Sequence, residues 1–559
     1  MRTVQHVRRL YLPWRWPRRH YSPTPVAGGE SSGAPAKGGR ARRRALVCGL
    51  LALVVAGATL AACGEAATTG KAAGAGGGAK GGSLRVLENS GFAGTWPSLD
   101  PLNPSAAAES VYLNAIYGTL FRQSPKGDVI PDLAAGYHYS EDGKTFTITL
   151  RDGVRFTDGT PLDAQAVAFN LRRDLDPKRA CLCLPNFPVA SIDTPDSHTV
   201  ALHLTRVFAP LKDAFFGASP NWIASPTALQ EMGEQAFALK PVGAGPFKVK
   251  SNQPSAVLVL ERNPAYFEKG KPLLDSITFT VVGSDESAFA ALVAGQADVY
   301  QGYSTFSAID SVKNQVRVTE QPSAIGPYNI QLNTAAAPFD NPLARQAIYY
   351  ATDPGPILKA VAAGRGTVTQ SMTGPGSLYY EQKVPGYRTH DLGQAKALVR
   401  QLGGLTVNLG TIQVQSAELV ATALKAQWEQ AGIKVNFSSE PLQGLIQTFH
   451  SGNWQAMLQT AGGFNPALGT GLGFRYVSDG PFSGIHDPHL DALVAKGAAT
   501  LDEKEQDQIY RQIWKYISDQ AYSPFLFVTP GFTLSVERVT GPGISAPGYQ
   551  VVWSEVSVG

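Results

Sequence analysis

Cysteine is almost absent from this chain, with four in 559 residues. That excludes a disulfide-built scaffold. Cys48 lies in an apolar leader, and Cys63 closes that leader. Only Cys181 and Cys183 fall in the body, at a C-x-C spacing with no second Cys or His pair close by in sequence. They read as two thiols in one loop, open to bridging outside the cell, rather than as a metal site. Charge is sparse too, at 16% of residues. Catalytic signatures are missing: there is no G-x-S-x-G elbow, no H-E-x-x-H and no Walker loop. Gly469 to Gly473 (GTGLG) lacks both the full dinucleotide fingerprint and the strand before it, and His486-Asp-Pro-His489 reads as a turn before a helix. The expectation is a protein that is not an enzyme and takes no cofactor and no metal.

What is present begins at the N-terminus. Ala45 to Leu60 carries no charge, and Arg40, Arg42, Arg43 and Arg44 stand just before it. A basic region, an apolar run and small residues at its end form a secretory signal, and Sec export is expected. Leu60-Ala61-Ala62-Cys63 resembles the lipobox of bacterial lipoproteins, which implies lipid on Cys63 after cleavage before it. The competing reading is a single membrane anchor, since the run is near the lower length limit for spanning; Gly57, Thr59 and the alanines make it weakly apolar. Residues 1–39 read as a cytoplasmic extension or an early start codon. Gly64 to Gly82 is nearly all Gly, Ala and Thr, a flexible tether reaching roughly 25 Å.

Residues 1–62 hold eleven of the 48 basic side chains and one of the 44 acidic ones. The remaining chain therefore carries 37 against 43, and its mildly acidic balance argues against nucleic acid, which needs a basic stripe. A mature chain of this length exceeds one hydrophobic core, so at least two domains are expected.

Strands and helices alternate. Asp142-Gly143 is a hairpin turn signal before Phe146, Ile148 and Leu150, which share one face. Leu405, Val407 and Leu409 alternate in a later strand, and Ile433, Val435 and Phe437 in the next. Between these two, Val420, Leu424, Trp428 and Ala431 keep helical spacing, with Ser416 as the expected cap. Asp391 starts a helix that Gly403 ends in a left-handed cap. This pattern reads as α/β.

Six motifs then occur in order. Val129 to Gly136 (VIPDLAAG) runs on to Leu150–Asp163 (LRDGVRFTDGTPLD), followed by Gly243–Phe247 (GAGPF) and Leu260–Phe267 (LERNPAYF). Ala291–Asp298 (ALVAGQAD), Leu332–Thr334 (LNT) and Pro338–Ala347 (PFDNPLARQA) complete the set. Over roughly 83–559 the chain resembles the family 5 extracellular solute-binding proteins, the peptide-, nickel- and opine-type receptors of ABC importers. The motifs themselves read as turn and scaffold chemistry.

The resemblance implies a two-lobed periplasmic-binding-protein-like α/β fold with two hinge crossovers and a first lobe enlarged by an extra subdomain. The expected boundaries are a leader at 1–62, a tether at 63–82, lobe I at 83–325, lobe II at 326–526 and a return to lobe I at 527–559. The crossovers are placed near 321–328 and 524–532. It also implies a lipid-anchored monomer on the extracytoplasmic face of the cell membrane, which captures a peptide or other small polar solute between its lobes and delivers it to ABC permease subunits. The rival reading is a surface lipoprotein using the same fold for adhesion, signalling or chaperoning. Peptide-binding members carry an Asp in a second-lobe loop that pairs with the peptide ammonium. Here Gly463 stands at that place, and Gln459 to Phe474 contains no acid. The candidate ligand residues are Asn89, Trp96, Phe464 and Asn465, with a small polar organic molecule expected, held by aromatic stacking and neutral hydrogen bonds near Phe464 and Asn465; Glu88 is the first-lobe acid able to replace the missing carboxylate.

Overall fold

A computed structural model of the chain describes residues 80–89, 98–102, 110–124, 128–179, 181, 183–301, 306–321, 326–460, 463, 465–468, 471–545 and 551–559. The leader and Cys63 lie outside the described residues, as does the tether up to residue 79.

Three large sheets organise the body. In chain order their strands are β1 (Ser83–Asn89), β2 (Ala134–Tyr139), β3 (Thr145–Leu150), β4 (Val189–Asp193), β5 (Thr199–Leu204), β6 (Phe247–Gln253), β7 (Val257–Arg262), β8 (Ser276–Val282), β9 (Val299–Gln301), β10 (Arg317–Gln321), β11 (Tyr328–Leu332), β12 (Leu405–Ile412), β13 (Ile433–Glu440), β14 (Ala456–Thr460) and β15 (Gly531–Ser535). The first sheet has the order β10-β15-β9-β1-β8-β7-β6. The second runs β11-β14-β12-β13, and β2-β3-β5-β4 forms the third, an all-antiparallel subdomain inserted in the first lobe. This is the mixed α/β, two-lobed architecture that the strand–helix alternation and the ordered motifs imply.

Burial on both faces explains why β1 is central. Leu84 and Val86 join a core with Phe279 and Trp553, whereas Leu87 faces another with Phe289 and Tyr300. A strand with two apolar faces belongs inside a sheet covered on both sides. In the second sheet β12 and β13 pair in parallel from Leu405↔Ile433 to Ile412↔Glu440, and the helix between them, Gln415–Gln430, buries Val420, Leu424 and Trp428. Ser416 does not cap this helix. The helix begins at Gln415, and the residue before it is Val414, with no side-chain cap. Asp391 does cap Leu392–Gln401, and Gly403 follows at φ +71°.

The ordered motifs are spent inside the scaffold. A Cβ on Gly243 would come within 2.4 Å of the Ile116 carbonyl, and one on Gly245 within 2.5 Å of Ala115. Asn263 donates to the Gly245 carbonyl at 2.8 Å. Asp158 accepts from Thr160 N and, through its other oxygen, from the Ser225 hydroxyl. Asp298 takes Arg85 Nη2 at 2.8 Å and Arg538 Nη2 at 2.7 Å on one oxygen, tying β1 and the C-terminal return to the end of the preceding helix. Cys181 and Cys183 are disulfide-bonded. Asp487 caps Pro488–Ala499 and accepts from Tyr516 and Tyr522, so the His486–His489 stretch serves a helix start.

Candidate functional site

Strand direction locates the cleft. β1 runs parallel to β8 and β9, and both β9 and β10 are antiparallel to β15. The carboxyl ends of β1, β8, β9 and β10 therefore share one edge, at Asn89, Val282, Gln301 and Gln321. From that edge the chain leaves for the second sheet, and to that edge it returns at Gly531, the register partner of Gln321. In the second sheet Tyr328, the entry residue, pairs with Thr460. Because β12, β13 and β14 are mutually parallel, their carboxyl ends at Ile412, Glu440 and Thr460 lie on the entry edge. The carboxyl edges of both sheets thus meet at the crossovers. In open α/β sheets that is where ligands bind.

At this edge the backbone register brings Glu88, Thr533 and Thr319 to one face of the first sheet. Glu88 pairs in register with Gln301, Gln301 with Thr533, and Thr533 with Thr319, two residues before Gln321. One step deeper the same face is apolar at Val86 and Val299. Gln321 Nε2 donates to Thr533 Oγ1 at 3.0 Å and to the Ile544 carbonyl at 3.2 Å. Glu88 differs from its neighbours: it is 5% exposed, and its Oε1 has no hydrogen-bond partner among the described residues. Burial alone pushes its carboxyl up to about 8.

The second lobe has buried polar side chains of its own beside Thr460, at the carboxyl end of β14. Arg475 is buried, lies 5.8 Å from the Phe482 ring centroid and reaches the Thr460 carbonyl at 3.5 Å. Desolvation lowers its guanidinium to about 10. Gln331 Nε2 holds the Arg475 and Phe482 carbonyls at 2.8 and 2.7 Å, and Gln459 donates to Gln331 Oε1. Asn329 Nδ2 donates to Tyr476 Oη at 2.8 Å, and burial pushes the Tyr476 phenol up to about 12.

The sequence candidates fare unevenly. Asn89 ends β1 opposite Val282; its side chain, Trp96 and Phe464 lie outside the described residues. Asn465 is buried with both ends of its amide engaged: Nδ2 donates to Asp213 Oδ2 at 2.8 Å and Oδ1 accepts from Ala467 N at 2.9 Å. The loop without an acid of its own thus receives one from the subdomain. Asp213 sits in the short helix Leu211–Ala214, and burial raises its carboxyl despite Lys212 Nζ at 3.4 Å. Sequence reading missed Asp213 and Arg475, neither of which belongs to a local pattern. Glu88 carried a visible signal, an acid near the end of an apolar strand.

Known proteins show the same fold. The chain is 27% identical over 456 residues, 76% of its length and 86% of the relative's, to a probable di/tripeptide-binding protein 5 of Pseudomonas aeruginosa. To the glutathione-binding protein GsiB of Shigella flexneri it is 28% identical over 398 residues, 70% of this chain and 73% of that one. The substrate-binding protein CtaP of an ABC transporter from Listeria monocytogenes superposes with a TM-score of 0.75 at 23% identity, over 86% of this chain and 99% of that one. DppA of Helicobacter pylori in complex with the peptide STSA gives 0.72 at 20%, over 86% and 98%. Residues 128–480 match the bacterial extracellular solute-binding proteins, family 5, and the chain belongs to that family.

Proposed function

We propose that the chain is an extracytoplasmic receptor that encloses a short peptide between its two lobes and presents it to the permease of an ABC importer. It acts by binding, not catalysis, and a lipid on Cys63 holds it at the membrane. One observation carries the reading: the carboxyl edges of both sheets meet where the chain crosses between lobes. A hinge there lets solute stabilise the closed state, because contacts to both lobes exist only when they are together. The relatives named for di/tripeptide and glutathione binding favour a peptide over other small polar solutes. They also weigh against adhesion. The buried acid Glu88 of the first lobe supports a charged contact to the solute in place of neutral hydrogen bonds alone.

The test is mass spectrometry of the solute released on denaturation from protein purified without unfolding. A peptide of a few residues is expected. Recovery of a sugar, an opine or a metal chelate overturns the peptide reading.

A further inference from the structure

We propose that Glu88 is the seat for a positively charged amino group of the bound solute, supplied by the first lobe in place of an acid in the second-lobe loop. The inference rests on reading the crossover edge as the solute cleft.

Glu88 shares its face with Gln321 and Thr533, whose side chains are bonded within the protein. Gln321 bonds Thr533 and the Ile544 carbonyl. The Oε1 of Glu88 is buried and bonds nothing among the described residues. Buried polar atoms are nearly always partnered, so an orphaned carboxyl oxygen at a ligand edge marks a place for something from outside. Among the described residues no Lys, Arg or His forms an ion pair with it: Arg85, nearest in sequence, turns to Asp298, Arg317 to Glu537, and Arg538 also to Asp298. Burial is accordingly the sole cause of its raised carboxyl.

The chemistry narrows the occupant. A hard metal ion requires several oxygen ligands, and no group of three His, Cys, Asp or Glu gathers among the described residues. A neutral hydrogen-bond donor would leave a carboxylate uncompensated in a buried site, which is costly. An ammonium supplies compact charge and three donors, and a charge-assisted bond of this kind is worth enough to change affinity roughly ten- to a hundredfold. The α-amino group of a short peptide is such a group. Its carboxylate end and side chains are left to the second lobe.

The experiment is calorimetry on the full chain, freed of endogenous solute, with Ala-Phe and Ala-Ala-Ala and with N-acetylated copies of both. Wild type is expected to bind the free peptides and to lose at least tenfold in affinity for the acetylated ones. E88Q is expected to lose a similar factor for the free peptides and to show little preference between free and acetylated. Equal binding of free and acetylated peptides by wild type overturns the proposal, and so does free-peptide affinity unchanged in E88Q. The acetylation comparison needs no variant, so equal binding of free and acetylated peptides overturns the proposal even if E88Q folds poorly. Mass spectrometry of the natively bound solute separates the two readings. A non-peptide amine removes the peptide assignment and keeps Glu88, whereas a solute with no basic nitrogen overturns Glu88 whatever its class.

Discussion

Asn465 donates to Asp213 at 2.8 Å across 252 residues of sequence, joining a second-lobe loop to the subdomain of the first. Both side chains are buried, and a second link, Ala209 N to the Ala498 carbonyl at 2.8 Å, joins the same two parts. Such bonds form only when the lobes are together. Asp213→Asn removes a charge-assisted bond, and Asn465→Ala removes the donor. Each is expected to speed solute release by roughly tenfold or more, with cooperative unfolding retained. Stopped-flow displacement checks this, and release at the wild-type rate in both variants would show that the contact does not hold the lobes.

Asp298 illustrates the opposite case, an acid committed to the scaffold. Burial works against its charge, but bonds from Arg85 and Arg538 outweigh burial and hold the carboxyl below its usual range. Asp298→Ala leaves two guanidinium groups without their shared acceptor. The two guanidinium groups are 42% and 41% exposed and can be hydrated, so a loss of about 1.5–3 kcal/mol is expected in urea unfolding, and a loss below about 0.5 kcal/mol would contradict the role.

These two acids mark what could be read from the sequence. Asp298 sits in the ALVAGQAD motif, where a glycine-ended helix precedes a strand, so local pattern placed it in the scaffold. Alternation in Leu405–Leu409 and Ile433–Phe437 and the cap at Asp391 were legible for the same reason: periodicity and capping are short-range. Ser416 misled because a hydroxyl near a helix start does not fix where the helix starts, and here it begins one residue earlier, at Gln415. The Asp213–Asn465 pair had no local signal at all. An acid-free loop is a fact about one segment, whereas the charge at a site is the sum over every segment folded against it.

Cys63 follows directly after an apolar run in a lipobox-like sequence. Cys63→Ser is expected to move the protein from the membrane fraction to the soluble or secreted fraction, while purified protein binds solute as before. Immunoblots of fractionated cells decide the point. Membrane retention of the variant would restore the membrane-anchor reading of Ala45–Leu60.

Acidity supplies the last prediction, because several acids are held above their ordinary values by burial. Glu88 and Asp174 lie at about 8 and Asp132 at about 6. For Asp174 the nearby Arg173 and Arg179 pull the other way and Asp100 adds to the rise; for Asp132 Thr119 and Arg122 oppose burial. Among the described residues no titratable group offsets Glu88, whose rise has burial as its only cause; its flanking register partners are Val281 and Gln301. An acid raised in the folded state favours folding while protonated. Its contribution is whole below the unfolded value near 4.5 and is lost as pH rises through the folded value, at about 1.4 kcal/mol for each unit between the two. Solute-free protein should therefore lose stability between about pH 4.5 and 8. Glu88→Gln cannot ionise, so it should melt higher than wild type at pH 8 and at a similar temperature at pH 5. An amine bound at Glu88 should reverse the order at pH 7.5, since it stabilises only the ionised wild type. Calorimetric melts of both proteins at these values, with and without Ala-Phe, test each step, and parallel pH profiles for the two proteins would show that Glu88 is not the acid that titrates.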